Sequence, residues 1–202
     1  MIIDTSNVWN ITGGAFLASA QLIYIIQVIR KKITPSIITW LGWALLVGVS
    51  FIAQITQYGW NSVLIGHMFS GLGCGMIFLV SLLSKHYSIN SKDWYYLLLG
   101  IICMALYLTT RDPWLTTIFS VLADAILGIP TILKAIKNPS TEKNLGWNLA
   151  LACWTLTIIT GINKDPIFLI FPIYCLIFNG IMTYLTLNSR IRLLIPSSKS
   201  KD

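Results

Sequence analysis

Thr34-Pro35-Ser36 leads into Leu41-Gly42-Trp43-Ala44-Leu45, and 104 residues later, without a gap, Asn138-Pro139-Ser140 leads into Leu145-Gly146-Trp147-Asn148-Leu149. Six positions are identical: Pro35/Pro139, Ser36/Ser140, Leu41/Leu145, Gly42/Gly146, Trp43/Trp147 and Leu45/Leu149. Leucines coincide readily in an apolar chain, whereas matched prolines and tryptophans do not. An internal repeat sets architecture before any other signal. In an apolar chain it predicts a duplicated helical bundle, with a site between the halves.

The composition places that bundle in a membrane. Of 202 residues, 55% are hydrophobic and only 10% charged, and the mean hydropathy is +0.74. A soluble domain carries about 25% charged residues. Seven apolar stretches approach the roughly 20 residues that a crossing helix needs: 11–29, 37–58, 62–84, 94–110, 114–136, 145–162 and 166–187. The fold expected is an all-α integral membrane protein with seven transmembrane helices, arranged as two three-helix repeats and a linker helix. The first bundle covers 1–88, the linker (span four) 89–112, the second bundle 113–190 and a polar cytoplasmic tail 191–202. Four crossings separate each helix from its copy. The halves therefore share one orientation and form parallel repeats about an axis along the membrane normal.

Charge gives the orientation. Twelve of the fourteen Lys and Arg residues follow spans one, three, five and seven, while Arg111 and Lys164 alone lie on the other side. This positive-inside bias puts the N-terminus outside and the C-terminus in the cytoplasm. The net charge of +7 is thereby a topology signal, and no nucleic-acid partner is expected. Met1 to Asn10 carries Asp4 and no basic residue, so it does not read as a cleavable signal peptide. Cys74, Cys103, Cys153 and Cys175 fall in four different spans, which argues for packing rather than a metal or disulfide role. The chain has no HExxH, phosphate-loop or G-x-S-x-G motif, so no enzyme activity and no cofactor are expected.

A few residues stand out against the apolar background. Of seven acidic residues, Asp124 alone lies well inside a span. Such residues face the bundle interior and mark substrate or proton pathways, or else tie helices together. Pro130, six residues on, removes an i→i−4 hydrogen bond and is a hinge candidate, with Gly128 beside it. Trp43 and Trp147, matched by the repeat, read either as interface anchors or as bundle contacts and pocket walls. Trp154 lies deeper and is the better pocket residue. Asn179 in span seven and Asn148 in span six are amide candidates, together with Gln54 and Gln57. His67 in span three is a second proton-coupling candidate beside Asp124. Gly71-x-Gly73-x-Gly75 reads as helix packing. Ser140 is a candidate cap for the sixth span.

The arrangement of parallel triple-helix bundles around a linker resembles the SWEET and PQ-loop superfamily. That family carries a Pro-Gln dipeptide in the first helix of each bundle. Here Pro130-Thr131 stands at that place in span five and Ile26-Gln27 in span one, so each copy keeps half of the dipeptide. A similar Asp…Ile-Pro-Thr…Lys…Pro run occurs in small bacterial membrane proteins, which implies a bacterial inner (plasma) membrane. The resemblance implies a transporter or facilitator for a small polar organic solute, working by alternating access. Pro130 would be its hinge, and Asn179 would take the place of the substrate-binding Asn on the third helix of a bundle. Within the same fold, a nicotinamide-riboside-like vitamin transporter and a non-transporting receptor or scaffold are the alternatives. Homo-oligomerisation is left open, because SWEET-like proteins also associate.

Overall fold

The computed structural model describes residues 6–109 and 113–187. These form seven helices: α1 (Ser6–Ile29), α2 (Ile37–Tyr58), α3 (Leu64–Ser84), α4 (Asp93–Thr109), α5 (Pro113–Lys137), α6 (Gly146–Gly161) and α7 (Ile167–Leu187). Apolar periodicity explains their inward faces. On α5 the buried positions Ser120, Ala123, Asp124, Leu127, Thr131 and Ala135 recur at steps of three and four. On α6, Trp147 and Trp154 stand seven residues apart on one buried stripe with Ala150, Cys153 and Thr157. That spacing is one helical face.

Five of the helices (α1, α2, α3, α5 and α7) are long and apolar enough to cross a membrane. The other two are shorter, with 17 residues in α4 and 16 in α6. At 1.5 Å per residue, 16 residues span about 24 Å, short of the roughly 30 Å hydrocarbon core. Many large apolar side chains lie on the outer surface, with Leu83 84% and Tyr95 69% exposed beside Ile52, Leu72, Ile159 and Ile177. Soluble monomers rarely show contiguous apolar faces of this extent. These features fit an integral membrane protein.

The packing partners follow a regular rule. Helix α3 packs on α1 and α2, and α7 packs on α5 and α6. Across the middle, α1 lies on α6 and α2 on α5, while α4 rests chiefly against α5. The contacts of α3 with α1 and α2 thus have counterparts in those of α7 with α5 and α6.

The loops gather at two ends. At one end the α1–α2 and α3–α4 loops pair through backbone, Ser88 N–H donating to the Pro35 carbonyl at 2.8 Å and Ile37 N–H to that of Ser88 at 3.2 Å. The α5–α6 loop joins them, with Thr34 N–H donating to the Thr141 carbonyl at 3.3 Å. Of the basic residues among those described, all but Lys164 belong to this end. Lys31 and Lys85 close α1 and α3 with positive φ of 55° and 51°. Their charges complement the negative ends of those helix dipoles.

One expectation about a helix end needs correction. Ser140 does not cap α6: it sits in a short 3-10 turn and donates to Asn138 Oδ1 at 2.7 Å. The helix starts at Gly146, whose N–H donates to the Asn144 side-chain oxygen instead. Pro130 lies inside α5, which runs on through it to Lys137. The 191–202 tail, Arg111 and the Gln57 side chain lie outside the described residues.

Candidate functional site

The seam between α1–α3 and α5–α7 holds a partly open cavity of about 80 Å³. Eight aromatic residues line it, and their rings touch in series. Tyr24 meets Trp40 at 4.7 Å between ring centroids, and Trp40 meets Trp43 at 5.2 Å. Trp43 meets Phe178 at 5.2 Å, Phe178 meets Tyr174 at 6.2 Å, and Tyr174 meets Phe171 at 6.0 Å. Trp154 closes the row against Phe171 at 5.9 Å, and Trp147 stacks on Trp40 at 6.4 Å. Edge-to-face and offset contacts in this range are attractive and hold the rings rigid.

The cavity is lined by residues that stand 104 positions apart. Five such pairs contribute: Ala20/Asp124, Trp40/Asn144, Trp43/Trp147, Ser70/Tyr174 and Cys74/Phe178. A cavity on the axis relating two copies would draw on the same positions of each. The chemistry of the two sides nonetheless differs, since a carboxylate faces an alanine and an amide faces an indole.

Most polar groups of the wall are already engaged. Tyr174 Oη donates to Asp124 Oδ2 at 2.7 Å, and Trp43 Nε1 donates to the Asp124 carbonyl at 3.1 Å. Asn179 Nδ2 donates to the Cys175 carbonyl at 2.7 Å, and Gln21 Nε2 to that of Ser70 at 3.3 Å. Two buried donors remain without a partner: Trp40 Nε1 and Asn144 Nδ2. Buried polar groups are normally hydrogen-bonded, so each exception calls for an explanation. These two belong to a single 104-residue pair.

A charged cluster closes the basic end. Glu142 is 0% exposed and forms an ion pair with Lys134 of α5. Its Oε2 accepts from Tyr24 Oη at 2.7 Å, and its carbonyl accepts from Trp147 Nε1 at 3.0 Å. Lys134 also donates to the Thr34 carbonyl. The cluster therefore joins α1, the α1–α2 loop, α5 and the α5–α6 loop, and it shares Tyr24 and Trp147 with the cavity wall. Burial raises the Glu142 carboxyl above the ordinary glutamate value, while Lys134 and Tyr24 pull it down. At the opposite end the ties are neutral: Asn10 Nδ2 donates to Ser62 Oγ at 3.1 Å, and Thr160 Oγ1 donates to Asn10 Oδ1 at 2.7 Å.

Of the residues singled out from the sequence, Asp124, Trp43, Trp147, Trp154 and Asn179 line this one cavity. Asn148 is half-buried and does not line it. His67 lies behind the wall, its ring 4.6 Å from Phe171 and 6.1 Å from Trp154, with both nitrogens unpartnered. Pro130 borders a separate cleft of about 580 Å³ at the basic end, with Lys92, Asp93 and Asn138. The sequence points to neither Tyr24 nor Asn144 as site residues; Trp40 reads with Trp43 and Trp147 as an interface anchor or pocket ring, and Glu142 only as part of a helix start. The 104-residue offset could have led to Asn144 through Trp40, whereas Glu142 sits in a polar loop and carries no such signal. No group of three or more potential metal ligands occurs among the described residues. No family model matches the chain, and no curated protein or solved structure matches it either.

Proposed function

We propose that this chain is a small membrane transporter or facilitator for a polar organic solute, a SWEET/PQ-loop-like duplication in which two three-helix bundles rock about the seam. On this reading α4 and α6 also cross the bilayer. The basic loops lie in the cytoplasm and the N-terminus outside, as the lysine distribution favours. The observation that carries the proposal is the aromatic cavity on the seam, lined by five residue pairs at the repeat offset. Binding at the interface of parallel repeats is the usual geometry of alternating access. Asp124 and Asn179 supply the polar contacts within an apolar enclosure, the general make-up of small-molecule sites. Pro130 lies at the cytoplasmic end of α5, where a weakened helix would let the α5–α6 loop move apart from the α1–α2 loop.

The test is a thermal-stability screen of purified protein against sugars, amino acids, nucleosides, vitamins and small amines, followed by uptake into proteoliposomes. A solute at about 100 times its dissociation constant should stabilise the fold by roughly 2.7 kcal/mol. Asp124→Asn should weaken that shift and slow uptake. A ligand that stabilises a well-folded sample but is never carried into vesicles would support the receptor reading and sink transport.

A further inference from the structure

The transport reading leaves the solute class open, and the cavity wall narrows it. Among the described residues, Asp124 is the only carboxylate lining the cavity, and no Lys, Arg or His lines it. The hydrogen bond from Tyr174 supplies one neutral donor and no counter-charge. An ionised carboxylate in this setting is costly unless it takes up a proton or a positive charge joins it. The surrounding ring faces are electron-rich and attract cations, which is how aromatic cages hold quaternary ammonium groups. At the Tyr24 end of the wall, two buried donors await an acceptor: the Trp40 indole N–H and the Asn144 amide.

We propose that the cavity binds a small organic cation, an amine or quaternary ammonium, that carries a single hydrogen-bond acceptor such as a hydroxyl. The cationic head pairs with Asp124 against the rings, and the acceptor meets Trp40 Nε1 and Asn144 Nδ2. This rests on the cavity being the transport site. A neutral polyol would bring no charge for Asp124 to pair with and more hydroxyls than the two free donors can serve. An organic anion would meet both the carboxylate and the ring faces with the wrong sign. The volume of about 80 Å³ restricts the fit to a compact molecule.

The test compares choline with its neutral tert-butyl analogue, which keeps shape and hydroxyl but lacks the charge. Titration calorimetry on the full chain in nanodiscs should show choline binding roughly tenfold more tightly. Asp124→Asn should abolish that preference, and Asn144→Ala should weaken choline while leaving tetramethylammonium, which has no acceptor, unchanged. The comparison on the wild-type chain stands even if a variant fails to fold. Equal binding of choline and its analogue would overturn the proposal, since the cavity would then read shape alone. If sugars or carboxylates bind and no cation does, the cation assignment falls while transport stands. If no solute class binds a folded sample, both fall together.

Discussion

Glu142 and Lys134 are the residues whose removal should be felt most sharply. Both partners are inside the cluster at the basic end, with Glu142 fully enclosed. Deleting one member of a buried pair leaves a charge without compensation and costs about 3–5 kcal/mol, whereas replacing both with apolar groups of similar size is often tolerated. Lys134→Met should therefore lower the unfolding midpoint strongly, and the Lys134→Met/Glu142→Gln double variant should recover most of the loss. Equal losses in single and double variants would mean that the ion pair is not what holds this end. The pH dependence has a definite sign. The folded carboxyl sits above its ordinary value because burial outweighs Lys134 and Tyr24. Its contribution is therefore fully present below about pH 4.3, the ordinary glutamate value, and is lost as pH rises through the folded value. The difference in melting temperature between wild type and Glu142→Gln should shrink as pH rises through that window. The opposite slope would show that the attraction to Lys134 dominates. Nothing in Pro139-Ser140-Thr141-Glu142 marks its last residue as buried. A glutamate in a polar loop normally stays in water, and only the tertiary placement of Tyr24 and Lys134 draws it in. Asp124 was legible for the opposite reason, because its apolar flanks left no solvated alternative.

At the scale of elements, the close approach of α6 to α1 depends on having no side chain at Gly146. A Cβ there would lie 2.8 Å from the Ala20 carbonyl oxygen, an atom of backbone that cannot rotate away. Gly48 on α2 offers a contrast, since a Cβ built there meets nothing within 4 Å. Gly146→Ala should destabilise the fold by about 1–3 kcal/mol, the usual cost of overpacking, while Gly48→Ala should be neutral or slightly stabilising. Thermal denaturation of the two variants side by side checks this; equal behaviour would mean that α1 and α6 have room to separate. The helices themselves were visible in the sequence, because apolar runs bounded by Pro, Lys and Asn leave few other readings. On α5 the sequence marked Asp124 as facing inward; the structure adds Ser120, Leu127 and Thr131 at helical spacing on the same side. Which helices touch was less accessible. Contact between α1 and α6 depends on small residues meeting across 126 positions of chain, from Ala20 to Gly146, and a glycine carries no mark of its partner.

At the scale of the whole molecule, the question is whether the two bundles must part at the basic end. The α1–α2 and α5–α6 loops meet there through the bond from Thr34 N–H to the Thr141 carbonyl, beside Lys134 and Glu142. Residues joined in this way stand close enough for a disulfide to be a reasonable bridge, which needs Cα atoms about 4.4–6.8 Å apart. If the bundles rock about the seam, Thr34→Cys/Thr141→Cys should lose uptake under oxidising conditions and regain it on reduction, while each single variant stays active under both. Solute binding to the oxidised form should persist from the opposite side, because the neutral ties of Asn10, Ser62 and Thr160 are untouched. Undiminished uptake by the crosslinked protein, with the bridge verified by mass spectrometry, would mean that this end never opens. The cavity would then load and empty through one face only, as a receptor site does. If the chain is the duplication proposed from its sequence repeat, two copies related along the membrane normal would exchange access between faces only by separating at one end while closing at the other.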